Sequence, residues 1–322
     1  PTPFDINFSL QATLINDKQT GALELSGKYQ FSSKELKITS RLKELDALPY
    51  LAYFKNLPAE IRILNIDNIN IEGALIKDKL SLKIELDIKN ASIAKDKTIL
   101  SNTQAKLKAS GDINLKDKTN LNYLLNIDDL KANLVAKGFP EKISIRYAKL
   151  KILPDRLEIQ NLRLNTLSTA AEIEGNLENF LNPVFNINLK SDFDLRIAKY
   201  VLSNYFDFFN SVSLEGKAAM DATLSKLKDK NELNFDGSLH LKDASLKTNN
   251  NAFGISAVNG LINFDNKNAG WTNLSFRFLD ETFNSKAVIS NLQSPLISLE
   301  LNSDNINIKT KINSPQKNIF NI

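Results

Sequence analysis

The residues able to do chemistry are few. Two acid pairs stand out, Asp128-Asp129 and Asp192/Asp194. Paired carboxylates are the groups that general acid–base catalysis uses. Each pair, however, falls where a strand pattern gives way to a helix or turn, and there a carboxylate accepts the free backbone N–H groups. Capping is the reading taken for both. The run Asp265-Asn266-Lys267-Asn268 has too few acids for a calcium loop, which alternates several around a glycine. His240 alternates with Leu239 and Leu241, so it belongs to the polar face of a strand, and no residue beside it supplies a partner. Zinc chemistry needs clustered Cys or His, and the chain has no cysteine and one histidine. Its eleven glycines form no phosphate-cradling loop between a strand and a helix. The expectation is a protein that is not an enzyme, with catalytic residues, cofactor and metal all none.

The elements that would position any site are strands. Phe4, Ile6, Phe8, Leu10, Ala12 and Leu14 alternate with polar residues, and Leu23, Leu25, Gly27, Tyr29 and Phe31 return on the same period of two. Rows such as Leu80 to Ile88, Ala105 to Leu115, Val212 to Leu224 and Leu233 to Leu241 repeat the pattern. Breaks at Gly, Pro, Asn and Asp recur roughly every 8–14 residues, giving about 18 to 20 strands and no long linker. Two stretches change period. Leu45, Leu48, Leu51, Ala52 and Phe54 suit a helix over about 42–56, although Pro49 kinks or splits it. Leu195, Ala198, Leu202, Tyr205 and Phe209 recur at three- and four-residue steps, predicting a helix over about 194–209. Trp271 is assigned to packing at a strand start.

Composition bounds the rest. The 322 residues are 42% hydrophobic and 24% charged, which is a folding sequence and not a disordered one. Lys+Arg 41 against Asp+Glu 37 leaves a net charge of +4, with lysines scattered among acids at turns. That is no single-sign stripe, so nucleic acid is not expected as a partner. No apolar run approaches the ~20 residues of a membrane helix. The first residue is Pro1, read as the start of a processed chain or an excised piece, with an anchor or signal expected upstream.

Organisation shows as an echo. Pro183, Ile187, Leu189, Ser191 and Asp192 match Pro295, Leu299, Leu301, Ser303 and Asp304, and Leu121 to Asp128 is a looser copy. Such repetition predicts an elongated stack of units. We divide the chain into 1–60, strands ending in the first helix; 61–182, a long sheet segment; and 183–322, which holds the second helix. The three form one continuous elongated domain.

Strands with one apolar and one polar face fit three architectures. A sandwich or closed barrel buries the apolar faces, an outer-membrane barrel turns them to lipid, and a curved sheet wraps them around a groove. Helices within the strand order and the lack of aromatic girdles disfavour the lipid-facing barrel. Expected strand lengths of 9–13 residues favour a long bent sheet over a sandwich. The fold expected is therefore mainly β: a long curved antiparallel, taco-like β-sheet of repeated units, with an apolar inner groove and two short amphipathic helices.

Further residues carry a family likeness. Gly237-Ser-Leu-His-Leu-Lys-Asp-Ala-Ser-Leu, Val258-Asn-Gly-Leu-Ile-Asn-Phe-Asp-Asn, Asn273-Leu-Ser-Phe and Asn291-Leu-Gln-Ser-Pro-Leu-Ile-Ser-Leu-Glu-Leu resemble, in that order, the C-terminal region of AsmA-like proteins. Leu214-Glu-Gly-Lys-Ala resembles the strand before them. The likeness covers about Pro183 to Ile312. It implies a periplasmic protein, anchored to the inner membrane through a segment outside this chain. It also implies a hydrophobic β-groove that binds or conducts phospholipid between inner and outer membranes in support of outer-membrane biogenesis. Such proteins are similar to bridge-like lipid transfer proteins. Implied partners are phospholipid or another acyl-chain lipid, with membranes or envelope proteins at the ends. The candidate lipid contacts are Tyr200, Tyr205, Phe206, Phe209, Leu214, Ala218 and Leu239. The alternative is a non-catalytic structural or adhesive β-sandwich or β-solenoid surface protein.

Overall fold

A row of residues alternating between apolar and polar can satisfy its backbone only by pairing, and its apolar side only by being covered. The computed structural model describes residues 5–16, 19–49, 59–116, 121–136, 139, 141–203, 207–227, 233–248, 254–291 and 295–313. Among them the protein is mainly β, with eighteen strands and one short α-helix. Two compact units divide the chain. The first holds Pro1–Thr166 and Asn176–Asn182, and the second Leu167–Gly175 and Pro183–Ile322.

The first unit is a meander in which each strand pairs antiparallel with the next. Its strands are β1 (Asp5–Asn16), β2 (Gln19–Gln30), β3 (Glu35–Asp46), β4 (Glu60–Ile76), β5 (Lys79–Lys95), β6 (Thr98–Asn114), β7 (Leu121–Val135), β8 (Ile143–Leu153) and β9 (Arg156–Asn165). β10 (Thr169–Glu178) contributes its last residues here, where Asn179 N–H donates to the Asp155 carbonyl at 2.7 Å. β4, β5 and β6 each run for 17 residues, longer than the strand lengths expected from the sequence.

The long strands are interrupted in the same place. Glu44, Asn102 and Asp129 lie within strands yet have φ of 53°, 51° and 53°. Register shifts fall between Ile66 and Asn68 and between Ile88 and Ala91. These are β-bulges, which bend a strand and slip its inside–outside alternation by one residue. In β5 the inward set runs Leu82, Ile84, Leu86, Ile88 and then moves to Ala91 and Ile93. The buried side chains follow this line: Ile66, Ala91, Thr103, Ala105, Ala132 and Ala148. Apart from Ile66 these residues are small, because a bend on the apolar side leaves little room.

The second unit is also an antiparallel meander interrupted by bulges. Its β11 (Val184–Asp194) leads into α1 (Leu195–Leu202) and a 3-10 turn at Asp207–Asn210. The meander continues through β12 (Val212–Lys226), β13 (Leu233–Thr248), β14 (Gly254–Asp265), β15 (Asn268–Phe278), β16 (Glu281–Ser290), β17 (Leu296–Asn302) and β18 (Asn307–Asn313). Its bulges occur at Asp243 (φ 48°) and Ala257 (φ 48°), with Gly216 (φ 105°) of β12 facing the first of them. Gly216 is obligatory, since a Cβ there would meet the Asp243 carbonyl oxygen at 2.5 Å.

The two-helix expectation is corrected by the strand β3. It continues through Leu42 to Asp46, with Leu42 opposite Ile69 and Leu45 opposite Ile66. At Glu44, φ 53°, the inward positions step from Leu42 to Leu45, a three-residue spacing that imitates a helix. Residues 50–56 of that expected helix lie outside the described residues. The second helix is present but shorter, ending at Leu202. Nor do the echoed motifs continue alike. Asp194 is followed by α1, whereas Ser303 opens a tight turn into β18, with Ser303 N–H donating to the Ile306 carbonyl at 2.8 Å.

Candidate functional site

The polar candidates disperse. Asp128 and Asp129 are within β7, where Asp129 forms the bulge and lies 3.8 Å from the Lys106 ammonium. They therefore cap no helix, which corrects that reading. Asp192 is an exposed residue of β11, and Asp194 alone caps α1. Its Oδ1 accepts the Arg196 backbone N–H at 2.9 Å. The Arg196 guanidinium, hydrogen-bonded to both carboxylate oxygens, holds Asp194 below the usual carboxylate range. Asp265 closes the β14–β15 hairpin. Its Oδ1 accepts from Lys267 N–H at 2.7 Å and Asn268 N–H at 2.8 Å, and the Lys267 backbone bond chiefly lowers its pKa. His240 is exposed, facing Ala219 and Leu261 on neighbouring strands. Among the described residues, no three His, Cys, Asp or Glu side chains are grouped to hold a metal.

What converges instead is apolar. In the second unit Leu195, Ala218, Ala244, Val258 and Leu274 form one buried cluster. Phe193, Ala198, Leu214, Leu239, Leu241, Ile262, Trp271 and Phe276 pack around it, half-buried. Residues far apart in the chain meet because the meander lays β12 to β15 side by side, with β13 and β14 bulged where they pair. The helix covers one end of the cluster. Leu195 is 8% exposed, and the stripe it shares with Ala198 rests chiefly on β12. An eight-residue helix has little stability alone, so this contact holds it; burying one leucine side chain is worth about 1.5–3 kcal/mol.

The candidate contacts divide accordingly. Leu214, Ala218 and Leu239 come together on this face, as their alternation implied. Ala218 is the deepest at 3% exposed, so it serves as floor. Tyr200 is exposed on α1, and Phe209 is half-buried in the 3-10 turn. Tyr205 and Phe206 lie outside the described residues.

Sequence reasoning passed over the Trp271–Ser285 pair. Trp271 Nε1–H donates to Ser285 Oγ at 3.0 Å, and that hydroxyl donates onward to the Leu274 carbonyl at 2.9 Å. Ser285, 4% exposed, thereby satisfies a carbonyl freed by the break in pairing between Trp271 and Leu274. A serine amid Phe283, Ala287 and Ile289 on an apolar row was the available signal.

In both units many large inward aliphatics are half-buried, while alanines make up most of the buried apolar residues. Leu80, Leu82, Ile84, Leu86 and Ile88 of β5 have this intermediate exposure, as do Leu239, Leu241 and Ile262 of the second unit. A closed sandwich buries its large aliphatics most deeply. Each unit thus keeps an apolar face with solvent access. Among the described residues, no helix is long and apolar enough to cross a membrane.

No family model matches the chain, and no solved structure matches it. Spindle pole body component 110 of Vanderwaltozyma polyspora is 25% identical over 235 residues, which cover 71% of this chain and 24% of that protein. The chain spans about a quarter of that curated relative. A likeness this distant shows no family membership.

Proposed function

We propose that this protein is a non-catalytic lipid-binding protein that takes acyl chains onto the apolar faces of its sheet. In this reading it is an AsmA-like protein of the periplasm that conducts phospholipid along a hydrophobic groove between inner and outer membranes. One observation carries the reading: many large aliphatic side chains line each face at intermediate exposure, above a buried floor rich in alanine. Such a face gains about 0.8 kcal/mol for each acyl CH₂ it removes from water. It needs no fixed polar geometry, which agrees with polar residues engaged in turns, caps and cross-strand pairs. Head groups would stay in water.

The single tryptophan provides the test. Trp271 packs against the cluster of the second unit. Titration with phosphatidylcholine brominated on its acyl chains should quench Trp271 emission, and unlabelled phospholipid should co-purify with the protein. Absence of both quenching and co-purified lipid overturns the reading.

A further inference from the structure

We infer that one rim of the first unit, formed by its successive hairpin turns, rests on the interface of a lipid bilayer. The rim is defined by register. Gln30 pairs with Glu35, Glu35 with Ile76, and Ile76 with Lys79. Lys79 pairs with Asn114, while Leu115 N–H donates to the Asp78 carbonyl at 2.8 Å. Leu153 pairs with Arg156, and Asn179 N–H reaches the Asp155 carbonyl at 2.7 Å. The turns at 31–34, 77–78 and 115–116 are therefore level with one another; the β8–β9 turn and the residues after β10 lie at the same end of the meander but set back, since Leu125 of β7 pairs with Ile152.

Large apolar side chains stand in water on this border. Phe31 is 50% exposed, Ile76 46%, Leu115 43%, Phe180 48% and Leu181 99%. Lys34, Lys77 and Lys116 lie at the same turns, also exposed. Turns ordinarily carry polar residues. The β5–β6 turn at the other end of these strands obeys that rule, reading Lys95-Asp96-Lys97-Thr98 with all four exposed.

Spacing selects the occupant. Alternate turns of a meander are two strands apart, about 10 Å. Apolar tips at that interval, separated by charged residues, make no contiguous patch of the kind a protein partner covers with close complementarity. A bilayer interface is fluid. It takes separate apolar tips one at a time, while lysine ammonium groups remain at the level of the phosphates. The same border holds Glu35, Asp78 and Asp155, so its charge is mixed and strong dependence on anionic lipid is not expected.

The experiment is flotation of the whole chain with vesicles of phosphatidylethanolamine and phosphatidylglycerol, and separately of phosphatidylcholine alone. The wild type should float with both. The double variant F180S/L181S, altered at exposed positions that pack on little, should bind at least tenfold more weakly. L279S, at an 82%-exposed leucine in a turn of the second unit, should float like the wild type. Failure of the wild type to bind either vesicle overturns the inference, as does equal weakening by L279S. Self-association abolished by F180S/L181S without vesicle binding would assign the rim to protein contact and also overturn it. This inference does not rest on acyl chains entering the apolar face: Trp271 quenching by dissolved brominated lipid reports on that face separately and should be unchanged in F180S/L181S.

Discussion

Asp194 grips Arg196 three times: Oδ1 accepts both the backbone N–H and Nε–H at 2.9 Å, and Oδ2 accepts Nη2–H at 2.6 Å. The strand-to-helix turn is thus fixed by residues two apart, and the helix start is placed over the apolar cluster. Asp194→Ala should cost about 1 kcal/mol of stability by loss of the cap, measured by urea unfolding. The ion pair adds little, because the Arg196 side chain is 71% exposed and screened by water.

The same contact sets a pH response. Arg196 depresses the folded-state pKa of Asp194, so the stabilisation is present above the unfolded carboxylate pKa of about 3.9. It is lost as pH falls through the lower folded value. Unfolding midpoints of wild type and Asp194→Ala should therefore differ at pH 7 and approach each other as pH falls from the unfolded carboxylate value through the lower folded one. A constant difference over that window would show that the charge of Asp194 is irrelevant to the cap.

Bulges offer a second test. Gly216→Val requires a Cβ 2.5 Å from the Asp243 carbonyl oxygen and 2.6 Å from Ala244 Cα, at a φ of 105°. Both contacts are backbone and cannot step aside. The variant should lose more than about 2 kcal/mol or fail to fold. Gly73→Ala, whose nearest new contact is Leu82 Cδ2 at 3.4 Å, should change stability by under about 1 kcal/mol. Thermal unfolding of the two separates a glycine facing a bulge from an ordinary strand glycine.

These bulges also mark where reading the sequence stops. Alternation made the strands legible, since a period of two needs only local residues: β1, β2 and β12 follow the rows Phe8, Leu10, Ala12; Leu23, Leu25; and Leu214, Ala218. A bulge inserts one residue, and nothing local distinguishes that slip from the start of a helix. Leu45 was assigned to a helix with Leu48, Leu51, Ala52 and Phe54 although β3 runs through Asp46, and Asp128-Asp129, at the bulge of β7, became a supposed cap. The cluster joining Leu195 to Leu274 depends on register between strands, which the chain specifies only once folded. Leu214, Ala218 and Leu239 were found because each is the inward member of its own strand; Ser285 was not, because its value lies in a carbonyl released by a neighbouring strand.

Ser285→Ala should therefore behave unlike an ordinary surface serine. It leaves the Leu274 carbonyl and Trp271 Nε1–H without their partner in a buried setting, a cost of about 1–3 kcal/mol. Trp271 emission should shift as its indole loses the hydrogen bond, read by fluorescence under native conditions. Ser238→Ala, on the polar side of β13, should leave both stability and emission unchanged.

The lipid reading makes its sharpest demand on sidedness. Leu214 and Leu239 are half-buried on the apolar face, whereas Glu215 and Lys217 are exposed on the other. A carboxylate at Leu239 places charge where an acyl chain would lie, and burying an unpaired charge against hydrocarbon costs several kcal/mol. Leu239→Asp and Leu214→Asp should reduce brominated-lipid quenching of Trp271 at least tenfold, while Glu215→Asp and Lys217→Asp leave it intact. Ala218→Asp is a poorer probe, because at 3% exposure the new charge would disrupt the fold itself. Circular dichroism must show Leu239→Asp to be folded before its quenching is compared. Equal loss from both faces would mean that lipid, if bound, does not lie along the apolar side, and the groove reading would fall with it.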